Sequence, residues 1–142
     1  MPKNDNTLSA DSQFGHYEIR SLLGLGGMGE VYLAYDSRLR RPVAIKLLPI
    51  EFTENKGRLS RFEREAYAAS RLNHPNILTT HEIGEHDGHH FIATEYVEGE
   101  SLRQRITRAA PELREILGIV IQVADALSYR STSRRMRLLT AR

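Results

Sequence analysis

The chain is predicted to fold as an α+β unit, an antiparallel sheet carrying one helix, followed by further helices. Three observations carry this. Between residues 17 and 97, short stretches rich in β-formers alternate apolar with polar residues, or run as brief apolar blocks, between Gly, Pro, Asn and Asp punctuation. One stretch among them, 59–72, has a helical period instead. Beyond Pro111 the apolar spacing becomes helical and stays so.

Residues 1–14 are polar and are expected to form a disordered tail. Tyr17–Leu23 reads as the first strand. Gly24-Leu25-Gly26-Gly27-Met28-Gly29 follows, and then Glu30–Tyr35, which alternates with Val31, Leu33 and Tyr35 on one face and Tyr32 and Ala34 on the other. A glycine run of this spelling also opens dinucleotide-binding helices, whose N-termini meet a pyrophosphate. Here a strand follows, so the glycines join two strands of a hairpin. Lacking side chains, they let backbone approach phosphate oxygens and leave N–H groups to point at them.

Asp36–Pro42 is a polar, basic turn. Pro42–Leu48 reads as a third, mostly buried strand containing Lys46. An ammonium in such a run needs a partner or must snorkel outward. In the helix over 59–72, Ser60 and Glu63 match a capping box, and Phe62, Ala66, Ala69 and Leu72 form the inward face. Glu65 borders that face and is the best candidate to pair with Lys46. Glu63 is second, being engaged in the cap, and Glu65 could instead pair along the helix with Arg61. Asn73-His74-Pro75 ends the helix. Ile77–Gly84 and His90–Val97 read as two more strands, joined by a hairpin turn at Asp87-Gly88. His81, His86, His89 and His90 straddle that turn without cysteine partners, so a solvated hairpin tip is a better reading than a metal site.

These residues resemble the start of a bacterial-type serine/threonine protein kinase domain, from residue 16 to about 129. The matching motifs are Leu23-Gly24-x-Gly26-x-x-Gly29-x-Val31, Val43-Ala44-Ile45-Lys46, Arg61-Phe62-x-x-Glu65-Ala66, Leu72-Asn73-His74-Pro75-Asn76-Ile77 and Glu95-Tyr96-Val97-x-Gly99-x-Ser101-Leu102. The resemblance implies a kinase small lobe, a five-stranded antiparallel sheet with one helix, followed by one or two helices of the large lobe. It implies ATP as the ligand. Leu23, Gly24, Leu25, Gly26, Gly27, Met28, Gly29, Glu30 and Val31 would cover the phosphates, and Lys46, positioned by Glu65, would hold the α- and β-phosphates. Val31 and Ala44 would roof the adenine, with Thr94 at the back of its pocket. The backbone of Glu95 and Val97 would bond its edge, and Glu100 is a further candidate for a ribose hydroxyl.

Ser101–Thr107 reads as a short helix, and Pro111 suits the first position of a second one running to Tyr129. Leu113, Leu117, Val120, Ala124 and Leu127 make its apolar stripe, with Gln122 and Asp125 too polar for a membrane span. In the family a His-Arg-Asp catalytic loop and an Asp-Phe-Gly sequence should come next, supplying the catalytic Asp and the Mg²⁺ ligands. The chain reads Arg130–Arg142 instead, with none of these residues. The expected organisation is a 1–14 tail, an ATP-binding lobe over 15–97, a hinge exit and first large-lobe helices over 98–129, and an aberrant Arg-rich tail over 130–142. That tail is expected to mark a truncated or frameshifted reading frame, inactive by itself. The alternative is a non-enzymatic interaction or decoy module that pairs with intact kinases.

The net charge of +2 belongs to the tail, which holds five arginines and no acids; without it 15 basic residues face 18 acidic ones, a net −3. A specific nucleic-acid role is not expected of a short basic segment without interleaved aromatics. There is no cysteine, no leader and no apolar span, so a cytoplasmic, non-membrane protein is expected. The apolar stripe after Pro111 should favour association unless it is covered.

Overall fold

The structure, a computed structural model, describes residues 8–26 and 29–140, the side chains of 51–52 and 130–140 excepted. The chain divides into two compact units, residues 1–71 with 79–96, and residues 72–78 with 97–142.

The first unit is a six-stranded antiparallel sheet with two helices. Its strands are β1 (Gln13–Phe14), β2 (Tyr17–Gly26), β3 (Gly29–Asp36), β4 (Arg41–Leu47), β5 (Thr80–His86) and β6 (His89–Glu95), in spatial order β1-β2-β3-β4-β6-β5. The helices are α1 (Ile50–Thr53), which the sequence reading did not anticipate, and α2 (Lys56–Ser70).

Alternation places Tyr32, Ala34, Val43, Ile45, Leu47, Phe91 and Ala93 on one face of β3, β4 and β6, where they meet Phe14, Tyr17 and Ile19 to form the core. Phe14 and Phe91 pack edge to face at 5.2 Å, and Tyr17 meets Phe91 at 5.9 Å. Such pairs contribute about 1 kcal/mol each beyond their burial. Pro42 sits in a central strand without breaking it. It pairs only with Tyr35 on β3, and the β4–β6 ladder starts one residue later, at Val43–Glu95, so no N–H is missed. The β3–β4 turn is held by the buried Asp36 carboxylate, which accepts the Arg38 and Leu39 N–H groups at 2.9 and 3.0 Å. The β5–β6 hairpin closes, as its sequence suggests, on Asp87 and Gly88 at φ 49° and 76°.

Four expectations change. The sheet gains a sixth strand because residues 8–14 are not a loose tail. Phe14 is in the core, Leu8 packs against it, and Asp11 and Ile19 exchange bonds with neighbouring backbone, Asp11 N–H to Ile19 O at 2.8 Å and Ile19 N–H to Ser12 O at 2.9 Å. Polarity misleads here because two apolar anchors suffice to seat the segment. The α2 helix starts at Asn55, whose Oδ1 accepts the Gly57 and Arg58 N–H groups at 3.1 Å each, so Ser60 and Glu63 lie inside the helix and form no capping box. The helix also ends at Ser70, and its inward stripe is Leu59, Phe62, Glu63, Ala66 and Ser70, with Ala69 exposed. Finally, β5 starts at Thr80 rather than Ile77. The Asn73–Asn76 turn reaches on to Ile77, whose N–H bonds the His74 carbonyl at 3.0 Å.

The second unit carries α3 (Leu102–Arg108) and α4 (Leu113–Thr140). Ser101 and Gln104 form a capping box on α3. Arg105 links the two helices, bonding Glu115 at 2.8 Å and the Ala109 carbonyl at 3.1 Å. The 72–78 loop belongs here. His74 Nε2 lies 3.2 Å from Asp125 Oδ2, its ring meets Tyr129 at 5.2 Å, and Asn76 Nδ2 donates to the Gln122 carbonyl at 3.4 Å. The α4 helix runs past Tyr129 to Thr140, where the sequence reading expected it to stop. Nothing from Ile119 onward is Gly or Pro, so no residue there ends a helix. Its apolar stripe is exposed: Leu117, Val120, Ile121 and Leu127 each show more than half their surface. Among the described residues no helix is long and apolar enough to cross a membrane.

Candidate functional site

The glycine hairpin is more regular than a loop. The β2–β3 ladder continues through Gly24–Val31, Leu25–Glu30 and Gly26–Gly29, with an irregularity between Leu22 and Gly24. Gly27 and Met28 lie outside the described residues. Leu23 and Leu25 are exposed, at 45% and 68%.

The two described ends of the motif need glycine for different reasons. Gly29 has φ 105°, and a Cβ there would fall 1.9 Å from the Leu47 carbonyl oxygen. The fold itself therefore demands glycine at this position. Around Gly24 nothing lies within 4 Å of where a Cβ would be. That space is open, on an exposed stretch of β2.

Register places the other candidates. Val31 pairs with Lys46 and Lys46 with Ile92; Leu33 pairs with Ala44 and Ala44 with Thr94. Residues paired across strands share a face, so Val31, Leu33, Ala44, Lys46, Ile92 and Thr94 line the sheet face opposite the core. All six are half-buried. The ammonium-bearing residue thus stands beside Val31, two positions from Gly29, on an apolar surface of small and branched side chains. This face can take a flat apolar ring against Val31, Leu33 and Ala44, with a polyanion reaching Lys46 and the glycine backbone.

Glu65 is 67% exposed at its side chain and receives a bond from Arg61 Nε at 3.2 Å, one helical turn away. This is the along-helix pairing the sequence left open. Glu95 N–H bonds the Thr79 carbonyl at 2.9 Å, and its carboxylate accepts the Thr79 N–H at 2.7 Å. The Glu95 carbonyl accepts from Thr94 Oγ1 at 3.2 Å. Val97, in the second unit, is 63% exposed. Glu100 is engaged by Arg108 at 2.7 Å.

The four histidines near the β5–β6 turn act as packing and pairing residues. His86 meets Phe14 edge-on at 4.9 Å, and His90 lies 3.7 Å from Glu85. His81 has its pKa lowered, by burial first and then by the Arg41 guanidinium. Among the described residues no three His, Cys, Asp or Glu side chains converge as a metal site would require.

Sequence reasoning missed two hydrogen bonds made by buried tyrosines. Tyr32 donates its hydroxyl hydrogen to the Glu30 carboxylate, and burial followed by that bond pushes its pKa up to about 12. Tyr17 likewise donates to Glu82, with its pKa raised mainly by burial. The alternation of β3 announces a buried Tyr32. Its hydroxyl's partners come from tertiary placement and leave no mark in the sequence.

A model of the protein kinase domain family matches residues 17–133. Over 116 residues the chain is 42% identical to serine/threonine-protein kinase PrkC of Bacillus subtilis, an alignment covering 81% of this chain and 18% of that protein. It is 40% identical over 125 residues to serine/threonine-protein kinase PknD of Mycobacterium tuberculosis, covering 87% of this chain and 19% of that one. Among solved structures it superposes on the PknI kinase domain of M. tuberculosis with a TM-score of 0.81 and 35% identity, covering 89% of this chain and 52% of that one. The chain therefore spans about a fifth of the length of these curated relatives and about half of a solved kinase domain.

Proposed function

We propose that this chain, which belongs to the protein kinase domain family and resembles its bacterial serine/threonine members, supplies the ATP-gripping half of a serine/threonine protein kinase. The observation that carries the proposal is the shared face of Val31, Ala44 and Lys46 beside a glycine hairpin with open space at Gly24. A glycine with no steric need in the fold is accounted for by a ligand that approaches the backbone closely, and a triphosphate is such a ligand. Lys46 then bonds the α- and β-phosphates, and Val31 and Ala44 cover the adenine. Thr94 lines the back of the adenine site, and the Glu95 backbone bonds its edge. Glu65 exchanges Arg61 for Lys46 when nucleotide is held.

ATP supplies the transferable phosphoryl group. The residues present do not fit the Mg²⁺ that accompanies it in the family, because neither a His-Arg-Asp nor an Asp-Phe-Gly sequence occurs in these 142 residues. No transfer step is therefore assigned to this polypeptide by itself. It is a nucleotide-binding element, acting in the cytoplasm, whose affinity alone is weak. A second reading, an interaction module for other kinase chains, is favoured by the exposed apolar side chains of α4.

Titration with ATP and with adenosine tests the first reading. ATP should bind more tightly than adenosine, and Lys46→Met should erase most of the difference. Equal affinity for the two ligands, or an ATP preference unchanged in Lys46→Met, would contradict it.

A further inference from the structure

Tyr32 is 1% exposed within the sheet core, yet its hydroxyl both donates and accepts a hydrogen bond. It donates to the Glu30 carboxylate and accepts the Leu8 N–H at 3.0 Å. A phenylalanine would fill the same ring volume, so packing does not account for the hydroxyl. Its two partners belong to different parts of the chain. Glu30 pairs with Leu25 across the glycine hairpin and directly follows Gly29, whose backbone rests on the Leu47 carbonyl. Leu8 lies in the N-terminal segment, which packs on the core and is fastened by the Gln13–Glu18 and Phe14–Tyr17 pairs of β1 with β2. The phenol is protonated at neutral pH, as any tyrosine is, so it is both donor and acceptor.

We infer that Tyr32 is a positioning residue: through its hydroxyl, docking of residues 8–14 sets the place of Glu30 and of the adjoining glycine hairpin. The N-terminal segment is then a strap on that hairpin, and loss of its Leu8 bond loosens the hairpin while Phe14 stays seated in the core. The consequence for nucleotide affinity rests on the reading of the hairpin as the phosphate grip; the mechanical coupling does not.

Amide hydrogen exchange on the full 142-residue chain tests the coupling. Tyr32→Phe removes both bonds and keeps the ring. Leu8→Pro removes the donor, and Leu8→Ala controls for the lost side chain. Exchange at Gly29, Glu30 and Val31 should quicken about fivefold in Leu8→Pro, as expected for one lost bond, and at least as much in Tyr32→Phe, which loses both. The double variant should not exceed Tyr32→Phe by much, Leu8→Ala, which keeps the donor but trims an apolar anchor, should quicken the hairpin amides less than Leu8→Pro, and the Val43 and Ile45 amides should not change. Faster exchange spread evenly over the sheet, no change at the hairpin, or fully additive effects would overturn the inference. An ATP titration run alongside separates the two ideas. Failure of the wild type to bind ATP counts against the nucleotide reading alone, and an unmoved hairpin counts against the strap alone.

Discussion

A Cβ on Gly29 would overlap the Leu47 carbonyl oxygen at 1.9 Å, whereas one on Gly24 would meet nothing within 4 Å. Gly29→Ala is therefore expected to destabilise the sheet by about 2 kcal/mol or more. Gly24→Ala should change stability by no more than about 0.5 kcal/mol, while weakening ATP binding. Chemical denaturation of both variants checks the first half and titration the second. His81 gives a prediction in pH. Its pKa is lowered in the fold by burial and by Arg41, with Glu95 and Asp36 opposing, so the folded state disfavours its charged form. The stability this group leaves intact is present above the unfolded value near 6.5, and is lost as pH falls from there toward the lower folded value. His81→Gln should therefore lose less stability than wild type on acidification through that window. Urea midpoints measured across pH 7 to 5 would show it. Both residues teach the same limit of sequence reading. The glycine motif announces itself, but which glycine the fold requires depends on Leu47, which lies on another strand.

At the scale of elements, one motif spelling occurs twice with opposite outcomes. Ser60-x-x-Glu63 is not a cap, because Asn55 has already opened α2 and caps it as well as a serine would. Ser101-x-x-Gln104 is a cap, with Ser101 N–H donating to Gln104 Oε1 at 2.8 Å and Gln104 N–H to Ser101 Oγ at 3.3 Å. Asn55→Ala should cost about 1 kcal/mol of stability, and Ser60→Ala close to nothing, read from thermal unfolding of the two variants. Strand identity was legible from alternation, as β3 and β4 demonstrate. Strand ends were less so. Ile77 and Leu78 look like strand residues, but the His74 carbonyl captures the Ile77 N–H and holds them in the preceding turn. The two-residue β1 was invisible because Phe14 earns its place only by meeting Phe91 and His86 from distant strands.

For the molecule as a whole, the sheet is one cooperative device with two faces. One face is a sealed core. The other presents Val31, Ala44, Lys46 and Thr94, half-buried and aligned by a register that a single-residue slip would destroy. This face was readable in advance because alternation assigns Val31, Leu33 and Tyr35 to one side. The partner of Glu65 was not, since Arg61 and Lys46 are both within the vocabulary of its sequence and only geometry selects Arg61 here. The central claim is that this face and the glycine hairpin together grip a triphosphate. Mapping backbone amide shifts of the whole chain during an ATP titration tests it most directly. The account predicts saturable shifts at Gly24, Gly26, Gly29, Val31, Ala44 and Lys46, with adenosine moving the Ala44 group but leaving the glycines still. Shifts confined to α2, β5 or α4, with the glycine hairpin silent throughout, would contradict it.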